Sequence, residues 1–518
     1  MKDNRTSVKR SLLVSAIALT LTAALLIGTT FAWFTSTAST GVSKVEAGKL
    51  KVTLLNGDKE LSSTDVLTWQ KAKGQTGTVL WEPGCTYNLD PITIKNTGSL
   101  ALKYKIVITG IKGDADLNKV IDWTVNDTKL DADHSLAVGA SNELTISGHM
   151  QENADDNYQG KTIDGISITV VATQDTVEYD SNGNQYDKDA TYPVVVSKNE
   201  LNTSLTLDAL KDENGKVSPV EVTLGDTSAE DINYSQNNTG YTGKGVMLGS
   251  TKLNNYGAAP AAAGEYKFTF KDGTITSEAK GYGSIDDYKN TSVYMLVPGN
   301  SDVVFENMTF NGVVSFDIQK YTSPWSNLNS ISFKNCTFNG IIIGTCPASN
   351  VTFDGCTFNA YTNTASANNS NPIWWREDTE GSGTNANPIE TFTFVNNKVT
   401  GTRPVKIERI GKTVSPIFTI KNNSFDISKQ AGDTATKNMA INIGMGEKPN
   451  LPFTLIDEGN TISANTAALY TASLTGGSNQ YKETSGMKVL DGNGNNKVIT
   501  ALVWKTTTGE TFELKTVD

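Results

Sequence analysis

Residues suited to acid–base or zinc chemistry are scarce in this chain of 518 residues, which contains only two histidines, His134 and His149. A zinc peptidase needs two imidazoles on one helical face with a glutamate between them, as in the HExxH pattern, and a third ligand. Here the two histidines lie in the segments DADHSLAV and SGHMQENADD. Neither segment has the pattern, so the sequence predicts no metallopeptidase site.

Carboxylates offer the other common route to catalysis. Glycoside hydrolases use a pair of carboxylates that flank the bond to be cleaved. The segment VKIERI places Lys406, Glu408 and Arg409 close together, but no acidic pattern accompanies them. We therefore predict that the chain is not an enzyme, and we keep an extracellular polysaccharide lyase or glycoside hydrolase as the alternative.

Aromatic side chains beside arginine suit the binding of sugars, because flat rings pack against the apolar faces of pyranoses. Two adjacent tryptophans cannot both face the core from one strand, so one of such a pair is expected outside. We predict glycan contacts at two clusters, with pinning of long loops as the alternative. Their residues are Trp374, Trp375, Arg376, Trp325 and Tyr321.

The four cysteines are Cys85, Cys336, Cys346 and Cys356. Cys336 and Cys356 occupy the same position in adjacent copies of a repeat, which is compatible with a disulfide or with two buried thiols. Cys346 lies between them and is a rival partner. We favour no pairing among these three, and we expect Cys85 to be a free thiol.

One polar segment resembles the start of a calcium loop, because Asp180, Asn182 and Asn184 alternate along it. The EF-hand pattern then fails, since Gln185 and Thr191 stand where that loop has glycine and glutamate. An ordinary turn-rich linker is the default prediction. The sequence thus predicts no metal and no cofactor.

Composition favours an all-β protein with an acidic surface. The chain has 45 glycines and 14 prolines, a mixture that suits short strands and turns. Its formal net charge of -11 disfavours nucleic acid and anionic membranes as partners, since phosphate binding rests on Lys and Arg contacts.

The first 33 residues have the order of parts of a secretory signal: a basic segment (1–10), an apolar run (11–28) and a small-residue, Ser/Thr-rich continuation. We predict a signal peptide over 1–33, cleaved by a signal peptidase between about Ala32 and Ala38, with a retained membrane anchor as the alternative. Cleavage predicts a secreted protein of the cell surface or extracellular matrix with no remaining membrane contact.

Residues 34–175 alternate apolar and polar side chains in several short runs, including KLKVTLL, ITIK, KYKIVI, ELTI and ISITVV. Strands at such spacing with turn residues between them predict an antiparallel β-sandwich. Pro83-Gly84 and Asn96-Thr97-Gly98 predict turns, the second joining two consecutive strands.

The strings GTTFAWFTSTAST, VEAGKLKVTL, WEPGCTYNLDPITIKNTGSLALKYKI and ISITVVATQ resemble the TasA/camelysin family of exported bacterial proteins. The resemblance covers residues 11–175. It implies a jelly-roll-like sandwich, a signal processed by a SipW-type peptidase, and a role in biofilm fibres or the surface coat. Some camelysin-like proteins are classed as metallopeptidases. Because this chain lacks the HExxH pattern, the resemblance does not imply peptidase activity here.

Signal cleavage frees the segment 34–47 (FTSTASTGVSKVEA), which is compatible with a strand and lacks proline. Such an arm can add a strand to the open edge of a neighbouring copy, and repetition of that contact builds a filament. We predict self-association through this arm, with a monomeric surface adhesin as the alternative. Its large apolar residues are Phe34, Val42 and Val45, and Ser43 lies between the two valines.

A polar, turn-rich segment (176–194) predicts a linker. Beyond it, Ser197 and Glu200 have the spacing of a capping box, which predicts a short amphipathic helix from Ser197 through Leu210.

Residues 195–485 contain a repeat, which is clearest in VVFENMTFNG, ISFKNCTFNG, VTFDGCTFNA, FTFVNNKVTG and FTIKNNSFDI, with weaker copies at 268–276 and 453–463. No single copy can bury its own apolar face, so the copies must stack. This region resembles a right-handed parallel β-helix of the pectate-lyase-like superfamily, and residues 486–518 are expected to add C-terminal strands or a cap.

Stacking predicts which side chains lie on one another. One inward ladder comprises Phe305, Phe333, Phe353, Phe394 and Ile420, and a second comprises Phe310, Phe338, Phe358, Val399 and Phe425. A corner ladder in left-handed backbone comprises Asn307, Asn335, Gly355, Asn396 and Asn422. The outward ladder Glu306, Lys334, Asp354, Val395 and Lys421 alternates in sign, which is typical of a solvated face.

Overall fold

The computed structural model describes residues 50–61, 65, 67–71, 79–109, 112–130, 132–164, 167–175, 191–201, 205–212, 215–227, 246–253, 261–277, 292–318, 328–344, 348–362, 370–376, 388–410, 414, 416–428, 439–445, 454–466, 468–474, 488–490, 502–505 and 511–513. Within these residues the protein is all-β, as the composition predicts, and four short 3₁₀ helices interrupt the strands: Ala115–Val120, Asp156–Tyr158, Lys198–Glu200 and Thr251–Leu253.

The first part of the chain forms antiparallel sheets. Its strands are β1 (Val52–Asn56), β2 (Lys59–Glu60), β3 (Thr86–Asn88), β4 (Ile92–Asn96), β5 (Leu102–Thr109), β6 (Lys112–Gly113), β7 (Ile121–Val125), β8 (Thr128–Lys129), β9 (His134–Leu136), β10 (Ser141–Leu144), β11 (Ile146–Met150), β12 (Ile163–Asp164) and β13 (Ser167–Gln174). The sheet orders are β10-β4-β1-β2, β3-β11-β7-β8, β12-β6 and β13-β5-β9.

Three of these sheets share one apolar core, to which Ile94 on β4, Tyr104 on β5 and Val125 on β7 each contribute a fully buried side chain. Alternation along each strand explains this arrangement, since every second residue points to the same face.

The turn at Asn96 is not a hairpin. Strand β4 pairs with β1 and β10, whereas the following β5 pairs with β13 and β9, so the chain passes from one sheet to another at this turn. The buried Asn96 amide donates to the carbonyls of Leu100 at 2.8 Å and Leu136 at 3.1 Å, and its Oδ1 accepts from the N–H of Gly98 at 3.0 Å. The sequence signal correctly marks a turn, but tertiary contacts set the direction in which the chain leaves it.

In the second part, the described residues form one sheet of 23 strands, whose pairings are parallel except for β35 with β36. The strands are β14 (Val194–Ser197), β15 (Val220–Thr227), β16 (Val246–Gly249), β17 (Lys267–Thr276), β18 (Ser292–Leu296), β19 (Asp302–Ile318), β20 (Leu328–Lys334), β21 (Thr337–Gly344), β22 (Ala348–Asp354), β23 (Thr357–Phe358), β24 (Ile373–Arg376), β25 (Thr391–Val395), β26 (Lys398–Gly401), β27 (Val405–Ile410), β28 (Ile417–Lys421), β29 (Ser424–Ile427), β30 (Met439–Met445), β31 (Thr454–Glu458), β32 (Thr461–Ile462), β33 (Ala468–Leu474), β34 (Lys488–Leu490), β35 (Leu502–Lys505) and β36 (Thr511–Glu513).

Successive repeats stack in register, and we call each repeat a rung. The first predicted ladder is confirmed, because Phe305, Phe333, Phe353, Phe394 and Ile420 pair in that order. The second is confirmed by the pairing of Phe310, Phe338, Phe358, Val399 and Phe425. Both ladders are buried in one continuous core.

The corner ladder is also confirmed by backbone geometry. Asn307, Asn335, Asn396 and Asn422 have φ of 54°, 53°, 59° and 55°, and Gly355 has φ of 67°. Asparagine tolerates this left-handed conformation better than other residues with a side chain, and glycine adopts it at no steric cost.

The predicted helix from Ser197 through Leu210 is correct only at its start. Lys198–Glu200 is a 3₁₀ helix and Leu201 is helical, whereas residues 205–210 form turns and irregular backbone. The predicted capping contacts exist: the N–H and Oγ of Ser197 donate to Oε2 of Glu200 at 2.9 and 2.6 Å. Leu205 and Leu210 are fully buried in the core of the second part, and the N–H of Lys211 donates to the Asp208 carbonyl at 3.1 Å in a turn. Burial of these leucines therefore overrides the helical periodicity.

The end of the linker contacts the first part. The ammonium groups of Lys103 and Lys105 lie 5.3 and 4.5 Å from the ring centroid of Tyr192. Burial is the main cause of a raised pKa at Tyr192, and the adjacent Asp133 and Asp175 carboxylates raise it further. The signal segment, the arm with Phe34, Val42 and Val45, and the linker residues Asp180 to Asn184 lie outside the described residues.

Candidate functional site

The tryptophan pair on β24 divides between the two faces of the sheet. Trp375 points into the core and is fully buried, with its ring centroid 6.3 Å from that of Phe333 and 5.8 Å from that of Phe353. Gly344 on the preceding rung makes room for this indole, since a Cβ at that position would overlap the ring. The buried ring of Trp375 cannot contact a glycan, which corrects the prediction for this residue.

Trp374 points outward and is half-buried. It packs with Tyr361 against an outer apolar patch formed by Val313, Ile341 and Ile343, which face away from the main core yet are buried. The Lys406 ammonium on the next rung lies 4.9 Å from the Trp374 ring centroid. Contacts on both neighbouring rungs hold the indole in place.

The other predicted glycan residues are Arg376, Trp325 and Tyr321. Arg376 extends β24 and pairs with Glu408 on β27 through the backbone. Trp325 and Tyr321 lie outside the described residues. Tyr361, which we did not single out from the sequence, joins the patch instead, and burial raises its pKa. Its position immediately after the repeat VTFDGCTFNA was the available signal.

The two histidines are not brought together. His134 on β9 stacks on Tyr104 with ring centroids 5.2 Å apart, whereas His149 on β11 shares a 2.8 Å hydrogen bond between its Nδ1 and Oγ1 of Thr86. The two strands belong to different sheets. Among the described residues, no three His, Cys, Asp or Glu side chains are grouped closely enough to hold a metal ion.

The stacked cysteines are buried free thiols. The Cys336 thiol lies 3.4 Å from the Phe305 carbonyl, and the Cys356 thiol lies 3.4 Å from the Phe333 carbonyl, so each is placed to donate to the preceding rung. Burial, followed by the neighbouring Cys336, raises the pKa of Cys356. A thiol held in its protonated form is a poor nucleophile, so burial makes Cys356 unreactive. Cys346 lies outside the described residues.

The outward charged column is self-compensating. Lys271 forms an ion pair with Glu221, and Lys421 lies 3.1 Å from Glu458. Between these ends the column alternates through Glu306, Lys334, Asp354 and Val395. Its carboxylates are thus interleaved with ammonium groups.

A buried amide ladder follows the corner ladder by one residue and was missed by the sequence reading. The backbone N–H of Asn397 donates to Oδ1 of Asn423 at 2.9 Å, and that of Asn423 donates to Oδ1 of Asn460 at 3.0 Å. Nδ2 of Asn460 donates to Asp457 at 2.5 Å, and the buried Tyr470 hydroxyl donates to the same carboxylate oxygen at 2.8 Å. The doubled asparagines in VNNK and KNNS were the available signal.

We compared the chain with protein-family models, curated proteins and solved structures, and none of the three comparisons found a match. None of the helices in the described part of the chain is both long and apolar enough to cross a bilayer.

Proposed function

We propose that the chain is a secreted, non-enzymatic structural and adhesive protein of the bacterial cell surface or biofilm matrix. Residues 34–175 then form a jelly-roll-like sandwich that mediates assembly, and residues 195–485 form a right-handed parallel β-helix that is displayed for adhesion, with residues 486–518 as its cap. The resemblance to the TasA/camelysin family supports the first assignment. The parallel, in-register rungs support the second.

The observation that carries this proposal is the register of the rungs. Phe305, Phe333 and Phe353 stack with centroid separations of 5.2 and 4.7 Å, and their ring planes are within 10° of parallel. Core side chains therefore repeat from rung to rung, and so do the outward columns between them. Such an array is rigid and presents extended regular faces, which suits adhesion along a surface or a polymer.

Assembly is proposed to run through the arm freed by signal cleavage. Among the described strands, the sheet β13-β5-β9 ends on β13, which has eight residues and the sequence SITVVATQ. A strand at the end of a sheet is a template for a further strand from another chain, because its outer backbone groups face away from the sheet. In an extended arm, Phe34 and Val42 would share one face of the enlarged sheet and Val45 would lie on the other.

Export is the part of this proposal that is tested first. We expect fractionation of the producing cells to place the protein in the culture medium or on the cell surface. N-terminal sequencing of that material should begin between residues 33 and 39. Protein that stays in the cytosol and begins at Met1 would overturn the proposal, whereas surface-bound protein that begins at Met1 would favour the retained anchor.

A further inference from the structure

One outward face of the stacked rungs is neutral and regular over four rungs. We call it the polar strip and define it by two columns that flank the inward residues Ile275, Phe310, Phe338 and Phe358. The first column is Thr274, Thr309, Thr337 and Thr357, and the second is Thr276, Asn311, Asn339 and Asn359.

The threonine column presents a row of side-chain hydroxyl groups. Among the described residues, the side-chain hydroxyls of Thr309, Thr337 and Thr357 make no hydrogen bond, although all three residues are half-buried. Rungs are about 4.8 Å apart, which is too far for one hydroxyl to bond directly to the next. Each hydroxyl therefore has to bond to water or to a ligand.

The asparagine column is ordered by bonds along the stack. Nδ2 of Asn359 donates to Oδ1 of Asn339 at 2.6 Å, Nδ2 of Asn339 donates to Oδ1 of Asn311 at 2.9 Å, and Nδ2 of Asn311 donates to Oγ1 of Thr276 at 3.4 Å. Each amide keeps a second N–H and further acceptor capacity that the ladder does not use. Because the amides are already oriented, a ligand that bonds to them loses less side-chain entropy.

An aromatic rim adjoins these columns. Tyr361 follows Asn359 by two residues and packs with Trp374 on the outer apolar patch. Both rings are half-buried. Aromatic rings that combine an apolar body with a polar tip suit contacts with sugars, whose ring faces are apolar and whose edges carry hydroxyls.

The charge of the strip selects the class of ligand. Its eight side chains are all neutral, and the net charge of the chain is -11, so an anionic polymer gains no ion pair and is repelled. A second threonine column, Thr352, Thr393 and Thr419, lies on another face of the stack; it begins on the rung of Thr357 and continues over the next two rungs. That second column differs from the polar strip in its charge environment, because the charged column lies two residues further along the same strands.

We propose that the polar strip, with Tyr361 at its edge, binds a neutral polysaccharide that lies along the stacking direction. A polymer in this orientation meets the same hydroxyl and amide at every rung, so weak bonds add up over its length. This inference rests on the proposed adhesive function and names the surface and the ligand class, and it moves the main contacts from the tryptophan pair to the strip.

The test is a pull-down of the mature chain with insoluble cellulose, chitin and β-1,3-glucan, with soluble polygalacturonate as an anionic competitor. The wild type should bind at least one neutral polysaccharide and keep binding in the presence of polygalacturonate. Replacing Thr309, Thr337 and Thr357 together by valine keeps shape and β-propensity but removes three hydroxyls, and should weaken binding by about tenfold or more. Asn339→Ala, which interrupts the amide ladder, should weaken it severalfold.

The matched control replaces Thr352, Thr393 and Thr419 together by valine, and its affinity should stay within about twofold of the wild type. Far-UV circular dichroism must show that each variant is folded. Equal losses in both triple variants, or no loss in the strip variants, would show that the strip is not the site while leaving adhesion intact. Binding to no neutral polysaccharide would overturn the inference and the glycan part of the proposed function together.

Discussion

The Phe333→Ala variant is expected to lose about 3–5 kcal/mol of unfolding free energy. Phe333 is fully buried and stacks between Phe305 and Phe353, with centroid separations of 5.2 and 4.7 Å. Edge-on contacts with Phe316 at 5.0 Å and Trp375 at 6.3 Å enclose it further. Backbone hydrogen bonds hold the rungs at a constant spacing, so the neighbouring rings cannot close the cavity.

Urea unfolding followed by far-UV circular dichroism measures this loss. The control is Ser332→Ala, one residue earlier on the outward face, which should change stability by less than about 0.5 kcal/mol. A loss below about 1.5 kcal/mol for Phe333→Ala would mean that the rungs relax around the cavity, and would contradict a rigid stack.

The Gly340→Ala variant is expected to lose about 3 kcal/mol or more, or to fail to fold. Gly340 pairs with Gly312 on the preceding rung, and a Cβ at position 340 would overlap the carbonyl oxygen of Gly312. The obstacle is backbone rather than the end of a flexible side chain, so it can be relieved only by separating two hydrogen-bonded rungs.

A suitable control is Gly215→Ala, because Gly215 has φ of 78° and nothing within 4 Å of an added Cβ. This change adds only the backbone strain of alanine in a left-handed conformation, about 1–2 kcal/mol. If Gly340→Ala were no more destabilising than Gly215→Ala, that result would contradict the close contact between Gly340 and the backbone of Gly312.

The sequence repeat allowed the side-chain contacts of the second part to be predicted. Aligned copies show which residues recur, and stacking converts recurrence into contact, so the phenylalanine ladders and the left-handed corner at Asn335 could be predicted. The charged column could be predicted for the same reason. Its alternation in sign is visible as soon as the copies are aligned.

The features that the sequence did not predict are those set by tertiary contacts rather than by the local sequence pattern. The alternation of Trp374 and Trp375 is a property of any strand, but which ring faces inward depends on the register of β24 against β21, where Gly344 leaves room for Trp375. The strand that follows the turn at Asn96 belongs to another sheet because of contacts distant in sequence. Capping contacts at Ser197 are compatible with one turn of helix as well as with a long one.

The buried amide ladder was missed for a different reason. Asparagine is usually exposed, so Asn397 and Asn423 were not expected inside the core, where both are almost fully buried. They are tolerated there because successive rungs supply equivalent partners: the amide of Asn397 donates to the Phe353 carbonyl at 3.0 Å, and that of Asn423 to the Phe394 carbonyl at 2.8 Å. A polar group that is destabilising when buried alone is tolerated when its neighbours repeat it and satisfy its hydrogen bonds.

Electron microscopy of the purified mature chain, beside a variant that lacks residues 34–47, tests the central claim of a self-assembling extracellular protein most directly. The account predicts filaments from the mature chain and none from the deletion variant, with the circular dichroism spectrum of the folded protein retained. Filaments that persist after the deletion, or a mature chain that stays monomeric at every concentration tested, would contradict it.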